Sequence, residues 1–190
     1  MSKSNSGRKF HGPFQKPIVL VGLMGAGKTS IGRKLAERMQ VSFVDADHEI
    51  EKAAGCTITE FFEKFGEKEF RRGEKRVIER LLKSWPCILA TGGGAFMDPE
   101  TRAMIKNSAV SIWLNADLDT LDDRLARRSG RPLLQTKNPR ATLQSLMEKR
   151  YPIYAEADMT VDTINGSIDV TVDKVCESII DYFSLTHERK

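Results

Sequence analysis

The sequence predicts an α/β fold in which a parallel sheet is covered by helices on both faces. Three observations carry this. Short apolar or β-branched runs alternate with segments of helical period from about Pro17 to Phe183, and that alternation threads a parallel sheet through crossover helices. The segment Gly22 to Thr29 matches G-x-x-x-x-G-K-[ST] at every fixed position, with a strand run before it and a helix pattern after it. Finally, 190 residues with 40% hydrophobic and 29% charged side chains describe one folded domain. A chain of this length buries roughly 70% of its unfolded surface and supports a core without staples.

The elements follow in order. Ile18 to Val21 is a continuous apolar run and predicts a buried first strand. A helix follows from Lys28, with Ile31, Leu35 and Met39 on one face. Ser42 to Asp45 predicts a second short strand. A Phe-rich helical block comes next, Phe61, Phe62 and Phe65, then a longer helix with Phe70, Val77, Ile78 and Leu81 inward. Cys87 to Ala90 predicts the third strand, and Asp98-Pro99 a helix start with an N-cap and proline at the first position. Val110 to Leu114 is the fourth strand. Leu118, Leu121 and Leu125 mark one further helix, and Leu143, Leu146 and Met147 another. Met159 to Val161 is the fifth strand, and Val172, Val175, Ile179 and Phe183 mark a closing helix.

Composition excludes several classes. No apolar run approaches the roughly 18–20 residues of a membrane helix. Three cysteines, Cys56, Cys87 and Cys176, stand far apart without a C-x-x-C pair, which argues against a disulfide framework or a zinc site and for a reducing, cytoplasmic compartment. Residues 1–16 are polar, lack an apolar signal core and are expected to form a disordered tail, with 17–190 the single folded domain. The net charge is +4, and Glu37 is the first acidic residue, after Lys3, Arg8, Lys9, Lys16, Lys28, Arg33 and Lys34. That balance favours an anionic partner, of which nucleic acid is one candidate. Helices on both faces leave no obvious apolar patch, so a monomer is expected.

In parallel α/β sheets ligands sit at the carboxyl ends of the strands. After the first strand, the glycines at 22, 25 and 27 let backbone N–H groups converge on phosphate oxygens, and the following helix adds its positive N-terminus. Lys28 is expected to reach the β- and γ-phosphates and Thr29 to ligate Mg²⁺. After the second strand stands Asp45-Ala46-Asp47. If both acids lie on the strand end they point the same way, one toward metal and one toward substrate. The other reading is an N-cap pair ahead of His48-Glu49-Ile50. After the third strand, Gly92, Gly93 and Gly94 present bare backbone, for close approach of a ligand or for a tight turn. Arg71 and Glu74 share a helix face with Phe70, which suits a planar carboxylate by bidentate pairing or an ordinary surface ion pair. Arg127, Arg128 and Arg131 cluster around Gly130 and Pro132, as a flap carrying a cation or as a solvated basic face, and Arg150 lies late on the next helix.

Taken together, GLMGAGKT at 22–29, DAD at 45–47, EFRRGE at 69–74, GGG at 92–94, RPLL at 131–134, Lys149-Arg150-Tyr151-Pro152 and VDT at 161–163 resemble the shikimate kinase family, of the nucleoside-monophosphate-kinase-like P-loop class. The resemblance implies a P-loop kinase three-layer sandwich whose five-stranded sheet runs in the order 2-3-1-4-5. It implies an acceptor-binding subdomain at about 47–80 and a lid at about 129–140. It implies ATP and Mg²⁺, with Gly25, Ala26, Gly27, Lys28, Thr29 and Ser30 around the phosphates. Thr29 and Asp45 would serve the metal. Asp47, Arg71, Gly92, Gly93, Gly94 and Arg150 would hold shikimate, the two arginines taking its carboxylate and Asp47 its ring hydroxyls. Asp47, Lys28 and Arg131 would carry catalysis, Arg131 by reaching the transferring phosphate. Arg127, or its neighbour Arg128, would stack near adenine. The implied reaction is ATP-dependent phosphorylation of the 3-hydroxyl of shikimate on the route to chorismate. A kinase of gluconate or a nucleoside monophosphate is the alternative, though a monophosphate dianion would want more arginines in the acceptor pocket. A nucleotide-gated RNA-binding module would instead show an aromatic, basic stripe, and aromatic residues are only 7% of the chain. Nucleic acid and membrane are therefore not expected as partners.

Overall fold

The computed structural model describes residues 16–83, 87–126 and 138–187. The order of elements is β1 (Ile18–Val21), α1 (Lys28–Met39), β2 (Ser42–Asp45), α2 (Ala46–Ala54), α3 (Ile58–Leu82), β3 (Cys87–Ala90), a 3₁₀ turn (Ala95–Met97), α4 (Pro99–Ser108), β4 (Val110–Asn115), α5 (Leu118–Ala126), α6 (Pro139–Tyr154), β5 (Met159–Asp162) and α7 (Ile168–His187). All five strands pair in parallel, in the order β2-β3-β1-β4-β5, as the family pattern implies. β1 and β3 are buried along their whole length, which is why their sequences read as unbroken apolar runs rather than as alternation.

The core lies between this sheet and its helices. Ile18, Leu20, Leu35, Ile78, Leu89 and Ile112 are essentially inaccessible, and each such side chain contributes about 1.5–3 kcal/mol by leaving water. Helix α1 buries Ile31, Leu35 and Met39, the three residues its periodicity singles out. Asp98 accepts from Thr101 N at 2.8 Å and caps α4, with Pro99 at the first position.

At Asp45-Ala46-Asp47 the structure favours the helix-cap reading over the shared strand end: Asp45 and Asp47 are not a pair on one strand end. β2 stops at Asp45, whose carboxylate caps α2 by accepting from Asp47 N at 3.1 Å, and Asp47 lies in the first turn of that helix. Capping satisfies an otherwise orphaned helix N–H, and it turns the chain so that the two acids face different neighbours. The Phe-rich block and the longer helix after it together make up α3, and Gly66 (φ 77, ψ 172) divides them as the two-part reading expects. A capping box between Thr57 and Glu60 starts this helix, and Phe61, Phe62, Phe65 and Phe70 cluster across the break. The tail at 1–15, Arg127, Arg128, Arg131 and most of the 129–140 segment lie outside the described residues. Of the last, Asn138 is the N-cap of α6.

Candidate active site

The parallel register brings the ends of β1, β2 and β3 to one edge of the sheet, and the loops that follow them line one cleft. Its walls are Met24, Gly25, Gly27, Lys28, Thr29, Ser30, Asp45, Asp47, Thr91 and Gly93. Gly27 takes φ 97 as N-cap of α1, a conformation a β-carbon disfavours, and it leaves the first N–H groups of α1 facing the cleft. Ala26 lies buried beneath this loop. Lys28 Nζ donates to the Gly22 and Leu23 carbonyls at 2.8 and 2.9 Å, which keeps its charge at the mouth of the loop.

Thr29 Oγ1 donates to Asp45 Oδ2 at 2.9 Å. Asp45 therefore divides its oxygens, one capping α2 and the other meeting the P-loop threonine. This hydroxyl and carboxylate form a hard-oxygen donor set of low charge. Mg²⁺ suits it, since that ion commonly takes one or two protein oxygens and completes its shell with water and phosphate.

The side of the cleft across from the P-loop is built on the three glycines. A β-carbon at Gly92 would lie 2.7 Å from Asp47 Oδ1 and 3.1 Å from Glu74 Oε1. One at Gly94 would overlap the guanidinium of Arg71. Only bare backbone lets these side chains close over the loop, so close approach is the need that fixes glycine here. Arg71 donates to Glu74 Oε2 at 2.6 Å and to Glu67 Oε1 at 3.3 Å. Glu74 is buried, and burial pushes its carboxyl above the ordinary value; Arg71 opposes the push while Asp47 and Asp98 add to it. Arg150, from α6, donates to the Gly93 carbonyl at 3.2 Å. Asp47, Arg71, Gly92 to Gly94 and Arg150 thus converge beside the P-loop. Two cations, one carboxylate and bare backbone suit an acid that also carries hydroxyl groups.

A second cavity continues past the P-loop, lined by Gly25, Gly27, Ser30, Ile31, Arg124, Ile164, Gly166, Ser167, Ile168 and Thr171. Arg124 spans it. This arginine donates to the carbonyls of Gly25 (3.2 Å), Ala26 (3.3 Å) and Ile164 (2.6 Å) and to Thr163 Oγ1 (3.3 Å). Sequence reasoning favours Arg127 and Arg128 and misses Arg124. The available signal is its place beside the Leu121/Leu125 stripe of α5, where a cation needs partners across a packed interface. Tyr154 goes unnoticed too, and Tyr151 is read only as part of the Lys149-Arg150-Tyr151-Pro152 segment. Each is tied to a backbone carbonyl, Ala116 and Gly93 respectively.

Comparison with known proteins agrees with this geometry. The shikimate kinase family model matches residues 24–182. A shikimate kinase of Paramagnetospirillum magneticum is 51% identical over 174 residues, covering 92% of this chain and 89% of that protein. One from Bradyrhizobium diazoefficiens is 55% identical over 166 residues, covering 87% and 78%. Among solved structures, shikimate kinase from Acinetobacter baumannii in complex with shikimate superposes with a TM-score of 0.83 at 40% identity, covering 87% of this chain and 93% of that one.

Proposed function

The chain belongs to the shikimate kinase family, and from that premise we propose how its residues carry the family's reaction. The enzyme transfers the γ-phosphoryl group of ATP to the 3-hydroxyl of shikimate, giving shikimate 3-phosphate and ADP. Arg71 and Arg150 take the carboxylate of shikimate, and the Gly92 to Gly94 backbone closes over its ring. Asp47 accepts the hydrogen bond of the reacting hydroxyl and orients its oxygen toward phosphorus. The oxygen attacks in line, the bond from phosphorus to the bridging oxygen of ADP breaks, and the hydroxyl proton passes to Asp47. Catalysis here is mostly positioning and charge stabilisation.

The P-loop from Gly25 to Ser30 cradles the phosphates with backbone N–H groups, and Lys28 exchanges its loop carbonyls for phosphate oxygens. Thr29 and Asp45 would hold Mg²⁺, which would supply charge screening for the β- and γ-phosphates. Arg131 adds a further cation at the transferring group. For the adenine side we choose Arg124 over Arg127, because Arg124 lines the cavity between the P-loop and residues 164–168.

One observation supports this acceptor above others: two arginines and Asp47 meet around bare glycine backbone next to the P-loop. A coupled assay of ADP release with shikimate, gluconate and AMP tests it. Shikimate alone is expected to drive turnover. Turnover with gluconate or AMP, or release that ignores the acceptor, overturns it.

A further inference from the structure

Tyr154 lies one helical turn beyond Arg150 on α6, on the same face. Its side chain is fully buried, so it touches no substrate. Its hydroxyl nevertheless ends at the acceptor loop, donating to the Gly93 carbonyl. Arg150 Nη1 donates to that same oxygen at 3.2 Å, which places the guanidinium beside the phenol, close enough for its charge to act on it. Three groups thereby meet: the phenol, the guanidinium and the carbonyl. A carbonyl oxygen has two lone pairs, and here both are used. Rings pack around the phenol, with Phe96 stacked at 6.5 Å, Trp113 at 6.1 Å and Tyr151 edge-on at 6.3 Å. The ring is thus held without help from its hydroxyl.

We infer that Tyr154 is a positioning residue for acceptor binding: its hydroxyl fixes the Gly93 carbonyl and the Arg150 guanidinium in one arrangement and so sets how well Arg150 grips the acceptor's carboxylate. A phenylalanine would fill the same space, so packing alone does not call for the oxygen. A guanidinium on a long side chain has many rotamers, and a fixed partner removes part of that freedom before substrate arrives. Burial pushes the phenol up to about 12, ahead of the opposing pull of Arg150, so the hydroxyl remains a donor throughout any working pH. The inference rests on the assignment of Arg150 to the carboxylate of shikimate.

Steady-state kinetics of Tyr154→Phe test it, with Mg²⁺–ADP binding measured by calorimetry. The KM for shikimate should rise about tenfold, the loss of one well-placed hydrogen bond. The KM for ATP, kcat and ADP binding should stay within about twofold. In an Arg150→Lys background, where the guanidinium is absent, Tyr154→Phe should add little. An unchanged shikimate KM overturns the inference. So does a full, additive loss in the Arg150→Lys background, or a parallel loss of nucleotide binding, which would assign the hydroxyl to the core alone. If the wild-type chain itself does not phosphorylate shikimate, the functional assignment falls instead, and the two failures are told apart.

Discussion

Asp45 and Asp47 are two residues apart and have separate neighbours. Asp45 meets Thr29 Oγ1 with one oxygen and caps α2 with the other. Asp47 faces the Gly92 backbone beside Glu74. The sequence leaves two readings open, a shared strand end and a helix cap, and the cap is what the structure shows at Asp45. The helix cap is what separates them, because it turns the chain between one acid and the next. Asp45→Asn should weaken Mg²⁺–ADP binding, with partial recovery at higher Mg²⁺, and leave shikimate binding close to normal. Asp47→Asn should keep Mg²⁺–ADP binding while losing shikimate affinity and about 10²–10⁴-fold in kcat, the usual range when an acid–base group is removed. Calorimetric titration of each variant with each ligand decides the matter. An Asp47→Asn protein that binds shikimate normally and fails with Mg²⁺–ADP would reverse the two roles.

At the scale of elements, strands were the most legible feature and short helices the least. β1 and β3 announce themselves because both faces are buried, leaving no polar position to interrupt Ile18–Val21 or Cys87–Ala90. Helix α2 has nine residues and buries only Ala46 and Ile50, too thin a stripe to separate it from its surroundings. The break in α3 is legible in outline: the Phe-rich block and the longer helix carrying Phe70 meet at Gly66, and Phe62 stacks on Phe70 across it. The P-loop and the glycine triplet are legible because backbone chemistry demands particular residues there. Arg124 is not, since its partners come from the P-loop and from residues 163–164, far away in sequence. It ties α5 to both walls of the second cavity. Arg124→Ala should therefore raise the KM for ATP about tenfold or more, from several lost charge-assisted hydrogen bonds, and spare the KM for shikimate measured at saturating ATP. A rise confined to shikimate would detach α5 from the nucleotide side.

Across the whole molecule, α6 is held to the ends of β3 and β4 by two phenols. Tyr154 reaches the Gly93 carbonyl and Tyr151 the Ala116 carbonyl, and the rings of both pack with Trp113. Burial raises each phenol from the ordinary 10 to about 12. In the unfolded chain both ionise near pH 10, whereas in the fold both keep their protons until about pH 12. Between those values the native state binds more protons than the unfolded state, so stability falls as pH rises through that window and is fully present below it. The slope is about 1.4 kcal/mol per pH unit for each group wholly protected, and less for Tyr151, which is only partly buried. Guanidinium unfolding at intervals from pH 8 to pH 11.5 should show an alkaline decline that Tyr154→Phe flattens, and that the double Tyr151→Phe, Tyr154→Phe variant flattens further. At pH 8 the single variant should lose only about 1 kcal/mol, one hydrogen bond's share. The comparison with the variants removes the part of the decline due to lysines and cysteines, which both proteins share. An alkaline slope identical in wild type and double variant would mean that the phenols do not hold α6 against the sheet as described.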